Sequence, residues 1–380
     1  RFFESEGAEL RLAAPTGRAA KRMTEATGYE AQTIHRMLEL TGMPEDDREG
    51  QPVHFERNAE NPLEADVIII DEMSMVDITL LYALLKAIGH GTRLILVGDI
   101  NQLPSVGPGN VLRDIIASEC FPVVTLQKIF RQASQSDIVV NAHKINDGQH
   151  IVLDNKSRDF FLLKRYDADV IISVMLQLVK QKMPKYVDAT PYDVQVLTPT
   201  RKGLLGVERL NGILQQYLNP PGKGKKEHQV GERIFREGDK VMQIRNNYDK
   251  EIFNGDIGIV ASVDIQGRTL QVDFDGHLIE YDASELDELV HAYATTIHKA
   301  QGSEYPIVVM PVLMNHYVML QRNLIYTGIT RAKKILVLVG TKKAISYAVH
   351  HVTVNRRNTL LKERLQGEIQ KGTDKWQSDR

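Results

Sequence analysis

Short apolar runs alternate with segments of helical periodicity along most of this 380-residue chain. A strand buried on both faces is a continuous apolar run, whereas an amphipathic helix repeats its apolar positions every three to four residues. The alternation is therefore typical of βα units that form parallel sheets, with helices such as 76–88 between the strands. It predicts two consecutive α/β cores. The predicted strands are 10–14, 67–71, 93–98 and 123–126 in the first core, and 160–163, 194–197, 307–311 and 335–340 in the second.

Two internal segments break this alternation. Residues 232–289 contain short predicted strands at 241–244, 257–263, 270–274 and 277–281, separated by hairpin-type Asn-Gly, Gln-Gly and Asp-Gly turns. They predict a small all-β barrel inserted in the second core. Residues 41–62 are polar and rich in glycine, proline and acids, which predicts a protruding loop or hairpin inserted in the first core. The predicted domains are 1–133 for the first core, 134–231 with 290–367 for the second, 232–289 for the insert, and 368–380 for a frayed polar tail.

Composition narrows the class of protein. Hydrophobic residues make up 42% of the chain and charged residues 25%, as in ordinary soluble globular proteins. A formal net charge of −2 means that any nucleic-acid site must come from local clustering of basic residues. The single cysteine, Cys120, excludes an internal disulfide framework and a cysteine-built zinc site. No apolar run is long enough to span a membrane and no signal peptide is visible, so a cytoplasmic protein without a membrane partner is expected.

Two adjacent carboxylates, Asp71 and Glu72, follow the apolar run 67–70. Ligands of open parallel α/β sheets bind outside the carboxyl ends of the strands. There Asp71 could hold Mg²⁺ and Glu72 could orient and deprotonate a water molecule, as in a nucleoside triphosphatase. Acidic residues are also favoured at a helix N-terminus, so the pair alone fits both interpretations.

Other segments each allow a functional and a structural interpretation. After the next strand, Gln102 could sense a γ-phosphate or could belong to a simple turn. Arg131 could contact a phosphate or form a surface salt bridge. Arg331, before a strand, could neutralise transition-state charge as an arginine finger or could favour a helix C-terminus.

Candidate nucleic-acid contacts occur at three further places. Segment 291–304 places hydroxyls, an imidazole and an ammonium close together, as phosphate-backbone contacts require, but it also fits an amphipathic helix with a glycine C-cap. The junctions at Thr16 to Arg18 and at Thr33 to His35 could clamp phosphates or could simply cap helices.

In this order and spacing, the segments resemble the motifs of superfamily 1 DNA helicases, specifically the RecD-like branch of the exodeoxyribonuclease V α-subunit type. The similar segments are APTGRAAKRM, TIHRML, IIIDEMSMVD, VGDINQLPSVGPG, IFRQ, TIHKAQGSE and YTGITRAKK, with further similarity in TPTRKGLLGVERLN and NNYDKEIFNGDIG. The likeness extends over nearly the whole chain. It implies an ATP- and Mg²⁺-dependent helicase of DNA repair or recombination that moves 5′ to 3′.

The resemblance also implies a fold and a site. The fold is two RecA-like cores of the P-loop NTPase type with ATP between them, an SH3-like insert, and a strand-separating pin at 41–62. Partners would be single-stranded DNA, single-strand/duplex junctions and, in some members, nuclease or helicase subunits. The implied catalytic residues are Asp71 (also the Mg²⁺ ligand), Glu72, Gln102, Arg131 and Arg331; Gly302 and Glu304 would bind nucleotide, and Thr16, Arg18, Thr33, His35, Asn247, Thr295 and His298 would bind DNA.

Two alternatives stay open. One is a single-stranded DNA-binding fragment without ATPase activity, and the other is the helicase part of a conjugative relaxase, which shares these motifs. The family's phosphate-binding loop, GxxxxGK[ST], is absent from these 380 residues: Gly17, Gly107 and Gly222 are followed by other sequences. Because that loop precedes the helix before APTGRAAKRM in this family, we expect a fragment whose loop lies upstream.

This expectation is directly testable. Residues 1–380 alone should show little DNA-stimulated ATP hydrolysis or unwinding, because the lysine and amide cradle for the phosphates are missing. A version extended upstream should show both activities. The measurement is phosphate release with and without single-stranded DNA, and vigorous turnover by residues 1–380 alone would contradict the prediction.

Overall fold

The computed structural model describes residues 1–41, 54–126, 135–247, 249–352, 357 and 359–378. Two compact units divide the chain. Unit 1 contains Arg1–Lys128 and Val354–Arg380, and unit 2 contains Ile129–Thr353. Among the described residues, no helix is both long and apolar enough to cross a membrane.

Unit 1 is built on a parallel sheet of four strands in the order β2-β1-β5-β6. Its central strand β5 is the apolar run of the DE motif, with Ile68 and Ile70 fully buried. The strands of unit 1 are β1 Leu10–Ala14, β2 Ala31–Thr33, β3 Leu40–Thr41, β4 His54–Phe55, β5 Val67–Ile70 and β6 Arg93–Leu96. Its helices are α1 Phe2–Ser5, α2 Gly17–Thr27, α3 Ile34–Met37, α4 Ile78–Ala87, α5 Val111–Ser118 and α12 Leu361–Ser378.

The strand predicted at 123–126 is wrong. This segment forms no strand in the structure, and Val124 and Leu126 are 87% and 91% exposed. The segment pairs with no strand of the described sheet, so its apolar side chains are not covered. Apolarity alone could not reveal that a partner strand was lacking.

The C-terminus also differs from the prediction of a tail after 367. Residues Leu361–Ser378 form α12, and the segment from Val354 groups with unit 1 rather than with the second core. The contacts are specific: Thr359 Oγ1 donates to Asp114 Oδ2 (2.8 Å), and Gln366 Nε2 donates to the carbonyl of Ser118 (3.2 Å). A polar composition predicted fraying, but here polar side chains anchor the helix to α5.

The strands at the two ends of the predicted protruding segment pair with each other. Strands β3 and β4 pair antiparallel, with Leu40 opposite Phe55 and Thr41 opposite His54. Residues 42–53 of the segment lie outside the described residues, so the strand-separating role stays a prediction.

Unit 2 contains a second parallel sheet, in the order β16-β8-β17-β18-β7. Strand β8 is buried along its whole length, as its apolar sequence predicts. The strands of this sheet are β7 Phe160–Lys164, β8 Val194–Thr198, β16 Ala294–Thr296, β17 Tyr305–Val312 and β18 Ala332–Gly340. The helices of unit 2 are α6 Asp137–Asn146, α7 Ala168–Gln177, α8 Met183–Val187, α9 Val207–Leu218, α10 Arg322–Ile329 and α11 Lys342–His350.

The predicted all-β insert is present between α9 and β16. Five antiparallel strands follow the order β14-β13-β12-β11-β15, next to a β9-β10 hairpin. They enclose a core that includes the fully buried Phe235 and Tyr281. The strands are β9 Glu227–Val230, β10 Arg233–Arg236, β11 Lys240–Gln243, β12 Ile257–Asp264, β13 Thr269–Phe274, β14 His277–Tyr281 and β15 Leu289–His291.

A buried carboxylate joins this insert to the parallel-sheet core. Asp239 is 0% exposed, and its oxygens accept hydrogen bonds from the side chains of Gln215 (2.6 Å), Asn219 (2.7 Å) and Tyr293 (2.9 Å). Gln215 and Asn219 lie on and after α9 of the core, whereas Asp239 immediately precedes β11. Burial by itself raises the pKa of Asp239, but hydrogen bonds from His291, Asn219 and the Arg236 amide outweigh it and hold the pKa below its ordinary value.

Removal of this carboxylate should destabilise unit 2. Asp239→Ala leaves several buried donors without an acceptor, at an expected cost of about 3–5 kcal/mol. Because the folded pKa is lowered, the contribution is present above the unfolded value of about 3.9 and is lost as pH falls through the folded pKa. Urea unfolding measures the loss of stability, and hydrogen exchange in β11 and β16 shows where it occurs. The exposed Asp249→Ala is the control, and equal stability of the two variants would contradict the prediction.

Candidate functional site

Asp71, Glu72 and the loop of Gln102 follow strands of the parallel sheet in unit 1, at its carboxyl edge. Main-chain hydrogen bonds continue past the ends of β5 and β6: the Asp71 amide donates to Ala13 O (3.0 Å), and the Met73 amide donates to Val97 O (3.0 Å). These bonds hold β1 and the segments after β5 and β6 together. The structure therefore places Asp71 and the start of the Gln102 loop at one edge, where open α/β sheets bind ligands.

The acidic pair has an uncommon backbone. Glu72 has φ 54° and ψ 39°, the left-handed region that costs a non-glycine residue roughly 1 kcal/mol or more. Its amide donates to Asp71 Oδ1 (2.8 Å). The pair does not begin an α-helix, since a short 3₁₀ turn follows and α4 is capped instead by Asp77, whose Oδ1 accepts from the Leu80 amide (2.8 Å). Asp71 and Glu72 therefore cap no α-helix; Glu72 is the N-cap residue of the 3₁₀ helix Met73–Met75 and makes no side-chain capping hydrogen bond there.

Two polar atoms in the segments that follow β5 and β6 are buried without a hydrogen-bond partner in the described structure. They are Gln102 Oε1 and Ser74 Oγ. Buried polar groups are nearly always hydrogen-bonded, so such exceptions need an explanation, for which a missing ligand or water is a usual one. Ser74 was not identified from the sequence, although it lies within the DEMSM segment.

The loop after Gln102 packs closely on the start of α4. The Ile78 amide donates to Pro108 O (3.0 Å), and a Cβ added at Gly107 would lie 1.9 Å from Asp77 Oδ2. Only glycine fits at this position. The DE segment and the loop that carries Gln102 thus form one packed assembly.

The predicted DNA-contacting junctions of unit 1 also act as helix caps. Thr16 Oγ1 accepts from the Ala19 amide (3.3 Å), and Thr33 Oγ1 accepts from the Arg36 amide (3.1 Å). Thr16 follows β1 and Thr33 is the last residue of β2, so both lie at the carboxyl edge of the parallel sheet. Thr33 is 3% exposed.

The two other candidates beside these caps are half-buried. Arg18 lies in the first turn of α2. His35 lies in α3, and its ring is 6.1 Å from the ring of Phe55 in β4. Capping and DNA contact are compatible, so these assignments stay predictions.

In unit 2, Arg331 is buried at 4% exposure. Its guanidinium donates to the carbonyls of Ser303 (3.1 Å) and Thr327 (3.2 Å) and to Thr330 Oγ1 (3.1 Å). These bonds join the TIHKAQGSE and YTGITRAKK segments within the unit. The arginine-finger role would require Arg331 to leave some of these partners, and it stays a prediction.

The TIHKAQGSE segment forms a strand and a turn rather than an amphipathic helix, so the helical interpretation is wrong. Glu304 forms an ion pair with Lys333 (3.1 Å), and Gly302 has φ 70°. Thr295 is buried in β16 at 3% exposure, whereas His298 is partly buried. Burial lowers the pKa of His298, so its imidazole is neutral near pH 7.

Two predicted site residues, Asn247 and Arg131, remain to be placed in the structure. Asn247 closes a tight turn: its main chain exchanges hydrogen bonds with Ile252, and its Oδ1 accepts from the Lys250 amide (3.1 Å). This local role is compatible with DNA contact, and the DNA-binding assignment of Asn247 stays a prediction. Arg131 lies outside the described residues, so its assignment stays a prediction.

Among the described residues, no group of three or more His, Cys, Asp or Glu side chains is placed to hold a metal ion. A Mg²⁺ ion typically uses one or two carboxylates and takes its other ligands from phosphates and water. The carboxylate of Asp71 lies at the same sheet edge as the segments that carry the unsatisfied Gln102 and Ser74 oxygens, and it fits that kind of site.

Three families match the chain in sequence. They are described as an AAA domain at residues 1–161, an ATP-dependent RecD-like DNA helicase SH3 domain at 210–274, and a UvrD-like helicase C-terminal domain at 291–339. Two parallel-sheet units with an SH3-like insert are the architecture of RecA-like helicases. The structure of Bacteroides Pif1 bound to single-stranded DNA has a similar fold, with a TM-score of 0.53 at 18% identity over 89% of this chain and 84% of that one.

Relatives identify the branch. The chain is 37% identical over 362 residues to the ATP-dependent RecD2 DNA helicase of Deinococcus radiodurans, covering 95% of this chain and 47% of that protein. It is 28% identical over 390 residues to the RecBCD enzyme subunit RecD of Mycolicibacterium smegmatis, covering 94% and 66% respectively. The chain thus spans about half to two thirds of the length of these relatives. Its sequence is similar to those of RecD-like helicases over nearly its whole length.

The packing of the Gln102 loop generates a prediction. Gly107→Ala should cost unit 1 about 1–3 kcal/mol, because the added methyl displaces Asp77 from the N-terminus of α4. The control is Gly89→Ala, whose Cβ would meet nothing closer than 3.9 Å. Thermal unfolding of the two variants tests the difference, and a fully stable Gly107→Ala protein would refute the packing argument.

Proposed function

We propose that this chain is the motor portion of an ATP-dependent DNA helicase that moves 5′ to 3′ on single-stranded DNA and unwinds duplexes in repair or recombination. The observation that carries the proposal is the carboxyl edge of the sheet in unit 1. There Glu72 has a strained backbone, and the segments after β5 and β6 carry two buried oxygens, Ser74 Oγ and Gln102 Oε1, without a hydrogen-bond partner in the described structure. Such features concentrate at ligand sites rather than in purely structural loops. The similarity to RecD-like helicases supplies the class of ligand.

Each residue of this edge has a proposed task. Asp71 would hold Mg²⁺, which neutralises phosphate charge when bound. Glu72 would accept the proton of the attacking water, and its left-handed backbone directs its side chain differently from that of Asp71. Gln102 would contact the γ-phosphate through its amide.

Unit 2 supplies the other proposed contacts. Arg331 would contribute charge to the transition state, and Gly302 with Glu304 would bind the nucleotide. His298 would bind DNA as a neutral hydrogen-bonding group, since burial lowers its pKa. Binding through phosphates and stacked bases would be tolerant of sequence and sensitive to salt.

The kind of helicase follows from the degree of similarity. Identity is higher to the RecD2 helicase than to the RecBCD subunit RecD, 37% against 28%. This difference favours a protein of the RecD2 type over a subunit of a nuclease complex. Single-stranded DNA and its junctions with duplex DNA are the proposed substrates.

The test uses the protein carrying these residues together with a phosphate-binding loop. Glu72→Gln should lower the kcat of DNA-stimulated ATP hydrolysis about 10²- to 10⁴-fold, because an amide cannot accept the proton. Binding of single-stranded DNA, measured by fluorescence anisotropy, should stay unchanged. The exposed Glu64→Gln is the matched control and should leave both measurements unaltered.

Unwinding assays decide the direction of movement on DNA and distinguish a helicase from a binding module. Partial duplexes with a 5′ single-stranded tail should be unwound, and those with a 3′ tail should not. Tight DNA binding without any ATP turnover would instead identify a binding module. Full activity of Glu72→Gln would reject the proposed site.

A further inference from the structure

A single arginine from the C-terminal segment binds the loop that follows Gln102. Arg357 Nη1 donates to the carbonyls of Gly107 (2.6 Å) and Gly109 (2.6 Å) and to Ser105 Oγ (3.2 Å), and its Nη2 donates to the carbonyl of Ser105 (2.6 Å). Hydrogen bonds from a charged donor are among the strongest in proteins. One planar guanidinium therefore fixes three carbonyls of a five-residue segment.

This loop needs such an external partner. Residues 104–109 read PSVGPG and form no helix or strand, so their carbonyls lack the repeated main-chain partners of regular structure. Leu103 and Ser105 are nonetheless buried, each at 5% exposure. On its other side the loop is joined to α4 through Pro108 O and the Ile78 amide (3.0 Å). Arg357 closes the remaining side.

The loop leads into helix α5, and contacts with this helix hold the segment that carries Arg357. Two residues after Arg357, the Thr359 hydroxyl donates to Asp114 Oδ2 in α5 (2.8 Å). Further along, Gln366 in α12 donates to the carbonyl of Ser118 at the end of α5 (3.2 Å). The C-terminal segment thus holds both the loop and the helix after it, all within unit 1.

We propose that Arg357 is a positioning residue for Gln102, a role that rests on the proposed ATPase function. Gln102 lies three residues before Ser105, and its buried Oε1 has no partner in the described structure. With the carbonyls of 105, 107 and 109 fixed, the Gln102 side chain stays aimed at the place of the γ-phosphate. Arg357, together with the contacts of Thr359 and Gln366 on α5, then supports the loop that follows Gln102.

A double-mutant cycle tests this role in the protein that carries a phosphate-binding loop. Arg357→Ala should lower kcat of DNA-stimulated ATP hydrolysis about 10- to 100-fold, because small misplacements of a positioned group are costly. The KM for ATP should change far less. In a Gln102→Ala background, Arg357→Ala should lower kcat almost no further, because Arg357 acts through the Gln102 side chain. Arg357→Lys should recover only part of kcat, since an ammonium lacks the planar fork.

Controls separate this role from general stability. Arg364→Ala, an exposed arginine of α12, should behave like the parent protein. Hydrogen exchange should quicken in residues 103–109 of Arg357→Ala. If Arg357→Ala does not fold, the cycle is measured with Arg357→Lys, whose kcat should still fall only when Gln102 is present.

Two results would overturn the proposal. One is an unchanged kcat in the Arg357 variants, and the other is an equal loss of kcat with and without Gln102. Either result, obtained while Glu72→Gln remains inactive, would reject the positioning role and leave the proposed function intact. A fully active Glu72→Gln protein would reject the proposed function itself.

Discussion

Beyond the last paired residues of β5 and β6, main-chain hydrogen bonds still join the following segments to each other and to β1. The Asp71 amide is bound to Ala13 O, and the Met73 amide is bound to Val97 O. Because parallel strands run in one direction, everything that follows them emerges at the same edge. The acidic pair, the Gln102 loop and the capped junctions at Thr16 and Thr33 share this edge for that reason. A shift in the pairing of β5 would move all of them at once.

In unit 2, the buried carboxylate of Asp239 fixes the position of the insert on the parallel-sheet core. Asp239 accepts hydrogen bonds from α9 and from Tyr293, which immediately precedes β16. The insert is thereby fixed to the strand that leads into the His298 turn. Such a buried acid is stable only when its hydrogen bonds are complete, which favours a single arrangement of insert and core. The buried Arg331, with its carbonyl acceptors, joins the next two motif segments in the same way.

Much of this architecture could be predicted from the sequence. Continuous apolar runs gave the buried strands β5, β8 and β17, and the Asn-Gly and Asp-Gly turns gave the insert, because these patterns reflect local burial and turn geometry. The exposure of 123–126 could not be predicted, since apolarity does not show whether a neighbouring strand is available. Asp239 and Arg357 were missed as well, because a single charged residue far away in sequence has no pattern.

The Gln102 loop shows why such a distant residue is needed. Its prolines and glycines allow the close approach of Gly107 to Asp77, but they also remove main-chain donors and regular pairing. A loop of this composition has many conformations available, and ordering it costs conformational entropy. An arginine is suited to offset that cost, because its five donors can serve several carbonyls at once. The precision of a site at the sheet edge therefore depends on residues that belong to no motif, and Arg357 provides this stabilisation about 250 residues away in sequence.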